Sequence, residues 1–261
     1  RQGLIPDPMR NSNVDSVQWI ELEDWTYRRT ITVGDTLFKY ANIDLVFRGL
    51  DTFAEVYLND SLLGKADNMF RSWEWPIKDL LKLGENELKV IFRSTIKEGA
   101  KLRDAYGIQL PHDNDPSGVS PYVRKAAYQF GWDFAPRLVG CGIWKEVELR
   151  CWEESLTDGL WITSARAGEL VSISPQLLKA SKLRLDGDFE VWFDGQLVST
   201  QPARRIWKHP IGVDLKGRAT GGAWWPQGSG DQKIHRLSVV HRHKGKILSR
   251  TERNHAFGWR A

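Results

Sequence analysis

Ala54-Glu55-Val56-Tyr57-Leu58-Asn59-Asp60-Ser61-Leu62-Leu63-Gly64 places an apolar side chain at every second position, stops at Asn59-Asp60, and then resumes. A period of two is the signature of a strand with one buried face, and Asn-Asp is a pair that tolerates the positive φ angles of a two-residue hairpin turn. The stretch therefore predicts two antiparallel strands joined tightly. Working outward, Tyr27–Val33 alternates before Gly34-Asp35, Ile43–Phe47 alternates before Gly49, and Phe70–Trp75 alternates aromatic with polar residues. Glu87–Phe92 and Ile143–Trp152 add further strands. Short strands with turn residues at regular spacing predict a sandwich or barrel.

A second set follows the acidic break Glu153-Glu154-Ser155: Asp158–Ser164, Leu170–Ser174, Arg184–Asp194, Leu197–Thr200, Ile234–Arg242 and Ile247–Glu252, with a turn-rich Gly221–Gly228 segment between them. Six or seven short strands in about a hundred residues predict an immunoglobulin-like sandwich. The fold class expected is all-β, with one sandwich over residues 1–153 and another over 154–261. At about 150 residues per domain, the length of 261 agrees with two domains.

Between the sets the pattern breaks. Thr95–Tyr106 has helical spacing, and Gly107–Pro121 is a polar loop of a length often given to function.

Composition narrows the chemistry. Apolar residues make up 41% and charged residues 27%, the balance of an ordinary globular chain. With 37 basic against 33 acidic side chains the charges nearly cancel, and the densest basic stretch, His235–Lys246, alternates with Leu237, Val239 and Val240 as an exposed strand face would. No nucleic-acid partner is expected. No run of roughly eighteen apolar residues occurs, so no membrane partner is expected either. The two cysteines, Cys141 and Cys151, exclude a disulfide-dense scaffold and leave either one bond or two reduced thiols. Thirteen tryptophans are the anomaly: flat amphipathic rings serve large β cores or surfaces that stack on sugars and other π faces.

Phosphate loops, Gly-x-Ser-x-Gly elbows and His-Glu-x-x-His helices are absent from the sequence. His235, His241 and His243 have ligand chemistry but no acidic or thiol companion, and His112-Asp113-Asn114-Asp115 fits a solvated turn better than a calcium loop. No metal and no cofactor are expected. Glu87, although a carboxylate, enters a strand from a Gly84-Glu85-Asn86 turn, so turn geometry is the expected role of that segment.

Arg124–Arg137 differs from all of these. It gathers Tyr128, Phe130, Trp132, Asp133, Phe134 and two arginines around Gly131 and Pro136. A carboxylate accepts two sugar hydroxyls while a ring covers the apolar C–H face, which makes Trp132 and Asp133 apt for a sugar. An aromatic corner in which Asp133 pairs with Arg124 or Arg137 is the alternative, and the residues alone do not choose between them.

Asp24-Trp25-Thr26-Tyr27-Arg28-Arg29, Arg124–Arg137 and Trp224-Trp225-Pro226-Gln227-Gly228-Ser229-Gly230-Asp231-Gln232 occur in an order that resembles the β-mannosidases of glycoside hydrolase family 2. The resemblance implies a jelly-roll, galactose-binding-like sandwich, then an immunoglobulin-like sandwich, then a catalytic (β/α)₈ barrel beyond Ala261 that carries both catalytic glutamates. It implies no catalytic residue in this chain, a β-mannoside or manno-oligosaccharide substrate cleaved with retention, and a jelly-roll loop reaching over the barrel mouth. There Asp133 would bind hydroxyls of the terminal sugar and Trp132 would help shape the pocket. The stand-alone carbohydrate-binding module and another family 2 glycosidase, such as a β-galactosidase or exo-glucosaminidase, are the alternatives.

Two departures stand out. Family members commonly carry Trp-Asp-Trp-Gly-Pro where this chain has Trp132-Asp133-Phe134-Ala135-Pro136, so Ala135 would cost about 1 kcal/mol if that position takes a positive φ. The chain also begins inside the expected jelly roll, which would leave one sandwich edge unpaired. Trp25, Trp73, Trp75, Trp144 and Trp161 are expected in packing, and Trp224-Trp225 as an anchor of the second sandwich.

Overall fold

The computed structural model describes residues 4–112, 114–165, 170–180, 185–205, 211–214 and 224–257. Two compact units divide between Cys151 and Trp152. The first contains strands β1 (Trp25–Val33), β2 (Asn42–Phe47), β3 (Leu50–Asp51), β4 (Ala54–Leu58), β5 (Ser61–Ala66), β6 (Trp73–Pro76), β7 (Gly84–Phe92), β8 (Gly142–Ile143) and β9 (Val147–Trp152). They form sheets ordered β1-β7-β4-β5 and β6-β2-β9, with β3 and β8 as a separate pair.

The local reasons are legible. Asn59 and Asp60 take φ of 47° and 63°, as a hairpin turn between β4 and β5 requires. On β7, Leu88, Val90 and Phe92 alternate inward to meet Val56 and Leu58 of β4 and Ile43, Leu45 and Phe47 of β2 across one core. The expected alternation of Ile43–Phe47 fails: all five residues are buried. Both faces of β2 are therefore covered, and alternation reports only strands with one wet face.

The second unit contains β10 (Ser155–Ala165), β11 (Leu170–Ala180), β12 (Asp188–Phe193), β13 (Gln196–Pro202), β14 (Ile211–Asp214), β15 (His235–His243) and β16 (Lys246–His255), in sheets β10-β11-β14 and β13-β12-β15-β16. Leu160, Val171 and Ile173 from one sheet share a core with Phe189, Val191 and Leu237 from the other, so the two sheets pack as a sandwich. The all-β expectation, a sandwich in each unit, holds. Pro175 lies within β11, but β14 covers that strand only over Leu170–Ile173, so the missing N–H falls where β11 is an edge.

Several expectations need correction. His235–His243 is a middle strand, buried over most of its length, with Arg236 alone fully exposed. His241 is walled in, its Nδ1 2.6 Å from Ser155 Oγ and its Nε2 2.7 Å from the Asp186 carbonyl, while His235 Nδ1 lies 2.7 Å from Asp194. Trp161 faces outward from β10 instead of packing in the core of its unit. Trp224 N–H bonds the Phe257 carbonyl at 2.9 Å and Trp225 N–H bonds that of Asp231 at 2.8 Å, closing a turn in the second unit. Arg184 and Gly221–Ala223 lie outside the described residues. Both cysteines are free.

Candidate functional site

The platform under Arg124–Arg137 begins with the helix Thr95–Tyr106. Ser94 caps it, its hydroxyl oxygen accepting the Lys97 N–H at 3.2 Å, and Gly107 ends it at φ 74°. Gly99 lets the loop approach, because a Cβ there would stand 2.8 Å from Val119 Cβ. Val119, Val123, Phe130 and Val139 then form a small apolar cluster against Phe53, Ile96 and Ala100 of the first unit.

Asp115 organises the polar loop that leads in. Its carboxylate accepts the N–H groups of Ser117, Val119 and Ser120 at 2.8–3.0 Å and the Ser117 hydroxyl at 2.5 Å. Burial pushes this carboxyl up, but the bonds from Ser117, Ser120 and Val119 outweigh it and hold the group below the ordinary carboxylate value. The expected solvated turn is thus a buried staple at Asp115, and Asp113 lies outside the described residues.

Beneath Arg124–Arg137 sits a buried ion pair. Lys125, with its side chain fully enclosed, donates from Nζ to Asp51 Oδ2 at 2.6 Å and to the Gly140 carbonyl at 2.7 Å. Gln129 Nε2 donates to the same Asp51 oxygen at 3.0 Å. Burial drags the Lys125 ammonium below the usual lysine value against the pull of Asp51, and burial lifts the neighbouring Cys141 thiol to about 11. Leu138 N–H bonds the Gln129 carbonyl at 3.0 Å, which closes the neck of a loop. Arg137, at the base, donates to Gln18 Oε1 at 3.0 Å, pairs with Glu21, and stands 3.8 Å from Asp115.

From that neck projects a tight turn in which Trp132 and Ala135 exchange N–H to carbonyl bonds of 3.2 Å each. Trp132 is half exposed, Phe134 is 86% exposed, and Asp133 is exposed between them. The alternative in which Asp133 pairs with Arg137 is overturned, because Arg137 is committed to Glu21 and Asp115. Among the described residues nothing engages the Asp133 carboxylate, and Arg124 is exposed without pairing to it. Ala135 does not take a positive φ, so the methyl group costs no backbone strain. Concavities of about 500 and 1030 Å³ are lined by Tyr27–Thr32 with Leu149, and by Glu55, Trp73 and Arg93 among others. Trp132 and Asp133 belong to neither, and they stand on an exposed turn.

Glu87 is exposed and lies 3.1 Å from Arg28 across β1 and β7, while Asn86 is buried and holds the turn before it. Among the described residues no three His, Cys, Asp or Glu side chains gather as a metal site. Sequence reasoning brought Trp132 and Asp133 to the fore but missed Lys125, Asp51, Gln129 and the Arg137 anchor. No local signal separated them: Arg124 and Lys125 stand side by side between Val123 and Ala126, yet the first is exposed and the second buried.

Residues 1–145 match the family described as Glycosyl hydrolase 2 galactose-binding domain-like. The chain is similar to "Beta-mannosidase B" of Thermothelomyces thermophilus, 36% identical over 77% of this chain and 23% of that protein. It is also similar to "Beta-mannosidase" of Mus musculus, 28% identical over 92% of this chain and 29% of that one. Among solved structures, the β-D-mannosidase of Dictyoglomus thermophilum aligns with a TM-score of 0.80 at 35% identity, covering 98% of this chain and 32% of its own. The chain therefore spans between 23% and 32% of the length of these relatives.

Proposed function

The chain belongs to the glycosyl hydrolase 2 galactose-binding domain-like family, and from that premise we propose that it forms the two N-terminal sandwiches of a retaining exo-β-mannosidase. The jelly-roll unit, ending near residue 153, brings part of the sugar pocket, and the immunoglobulin-like unit links it to a (β/α)₈ barrel that supplies the acid/base and nucleophile glutamates. The substrate class is a terminal β-D-mannoside or manno-oligosaccharide.

One observation carries the reading: consecutive residues of one exposed, firmly seated turn present a half-exposed Trp132 ring and an unengaged Asp133 carboxylate. A carboxylate left without a partner on such a turn is free to accept hydroxyls. The ring next to it offers an apolar face to sugar C–H groups. Placed against a barrel mouth, these two side chains complete a pocket that neither part holds alone. Their task is binding and orientation of the terminal sugar, while bond cleavage falls to the barrel.

The test is Asp133→Ala in the intact protein, assayed on an aryl β-mannoside. Losing a charge-assisted hydrogen bond of about 1.5–3 kcal/mol should lower kcat/KM by about 10- to 100-fold. An unchanged kcat/KM refutes the role of Asp133, and a best rate on the galactoside refutes the mannoside. The 261-residue chain alone should show no turnover.

The exposed Tyr128, Trp132 and Phe134 around Asp133 favour a second reading, a stand-alone carbohydrate-binding module. Calorimetric titration of the chain with mannose and mannobiose separates the two: such a module binds at micromolar to millimolar concentration, whereas half a pocket binds negligibly.

A further inference from the structure

Lys125 and Asp51 pose a question that the sugar-binding role of Asp133 does not answer. Both are charged, and their side chains are 0% and 9% exposed. A buried ion pair forfeits solvation that its mutual attraction often fails to return, and apolar residues of like volume frequently serve stability as well or better. What an ion pair supplies and an apolar pair does not is direction, because its hydrogen bonds hold only at defined angles.

Asp51 Oδ1 takes the adjacent Thr52 hydroxyl, and the remaining bonds lead to the loop. Asp51 Oδ2 takes the Lys125 ammonium at 2.6 Å and the Gln129 amide at 3.0 Å, and the same ammonium reaches the Gly140 carbonyl at 2.7 Å. Residues 125, 129 and 140 are the entry, neck and exit of one excursion of the chain, tied to a single carboxylate at the end of β3. Leu138 closes on the Gln129 carbonyl, and everything between residues 130 and 137 hangs beyond that closure. Apolar packing of Phe130 and Val139 seats the loop without direction, and Arg137 anchors its exit side through Gln18 and Glu21. The oxygen shared by Lys125 and Gln129 adds the directional hold on the entry side.

We propose that Lys125, Asp51 and Gln129 are positioning residues that aim the Asp133 carboxylate at the sugar, setting the angle of the loop from beneath without touching substrate. The proposal rests on Asp133 being a sugar ligand. Removing Lys125 or Gln129 therefore weakens the Asp133 contact and no other.

A double-mutant cycle in the intact protein tests it, with kcat/KM on an aryl β-mannoside as the readout. Lys125→Met should lower kcat/KM about tenfold and Gln129→Met about threefold, while in an Asp133→Ala background each should change it by less than twofold. A merely structural role would lower kcat/KM equally in both backgrounds. Gln129→Met leaves the ion pair intact, so it keeps the test decisive if Lys125→Met does not fold. Losses that multiply with Asp133→Ala, or a Gln129→Met enzyme with wild-type kcat/KM, overturn the positioning role. An Asp133→Ala enzyme with wild-type kcat/KM overturns the sugar-ligand reading first, which tells the two failures apart.

Discussion

Arg137→Met should destabilise the first unit by about 3 kcal/mol, and the structure shows how that figure arises. The side chains of Arg137, Glu21 and Asp115 are 15%, 11% and 2% exposed, so the cluster is largely dry. Removing one partner of a fully buried pair costs about 3–5 kcal/mol, chiefly because the other charge is stranded. Here the stranding is uneven. Asp115 keeps the hydrogen bonds from Ser117, Val119 and Ser120, while Glu21 loses its guanidinium and Gln18 loses the donor at 3.0 Å. The lower end of the range follows. For a unit of this size 1 kcal/mol moves the melting point by about 2–4 °C, so the shift should be about 6–12 °C. Scanning calorimetry of the chain reads it directly, with the endotherm of the second unit as internal reference. A Glu21→Leu/Arg137→Met double variant removes the stranded charge and should recover to within about 1 kcal/mol of wild type. A single variant costing under 1 kcal/mol refutes the reasoning, and so does a double variant as unstable as the single, which would assign the loss to the packed stem of the arginine.

Asn86→Ala should cost about 2–4 kcal/mol in urea unfolding, because the buried amide bonds Lys82 N–H, the Lys82 and Gly84 carbonyls and Asn59 Nδ2; a loss under 1 kcal/mol would contradict the turn-holding role. Ala135→Gly should weaken the first unit by about 0.4–1 kcal/mol through the entropy of the unfolded chain, and a gain in stability would mean that Ala135 is strained after all. Burial pulls the His241 imidazole below its ordinary 6.5, and burial does the same to His255. Between each lowered value and 6.5 the unfolded chain binds more protons than the folded one, so the second unit keeps its full stability above 6.5 and loses it as pH falls through that window. Melting points measured across that range should fall less steeply for His241→Gln, with His255 supplying the remaining slope; an unchanged slope would clear His241 of the effect.

The strand framework was readable wherever a strand has one wet face. Ala54–Leu58 and Glu87–Phe92 alternate and were placed correctly, and Asn59-Asp60 marked the turn through its own backbone chemistry. Strands with both faces buried break the pattern: Ile43–Phe47 and most of His235–His243 lack the solvated face that alternation predicts. The site divided in the same way. Trp132 and Asp133 stand out in the sequence because a carboxylate among rings has recognisable chemistry, and the Trp-Asp motif resembles that of a known family. The partners of Arg137 were beyond reach, since Glu21 lies 116 residues away along the chain.

By itself the sequence determined the all-β class and the hairpin and set Trp132 beside Asp133, because each is written within a few consecutive residues. Only the tertiary structure decided how that pair is presented. It brought Asp51 across 74 residues to Lys125, gave Arg137 to Glu21 and Asp115, and so left the Asp133 carboxylate unengaged at an exposed tip. Which charge pairs with which depends on distances that folding sets between remote segments, and a buried charge takes whatever partner the fold brings within reach.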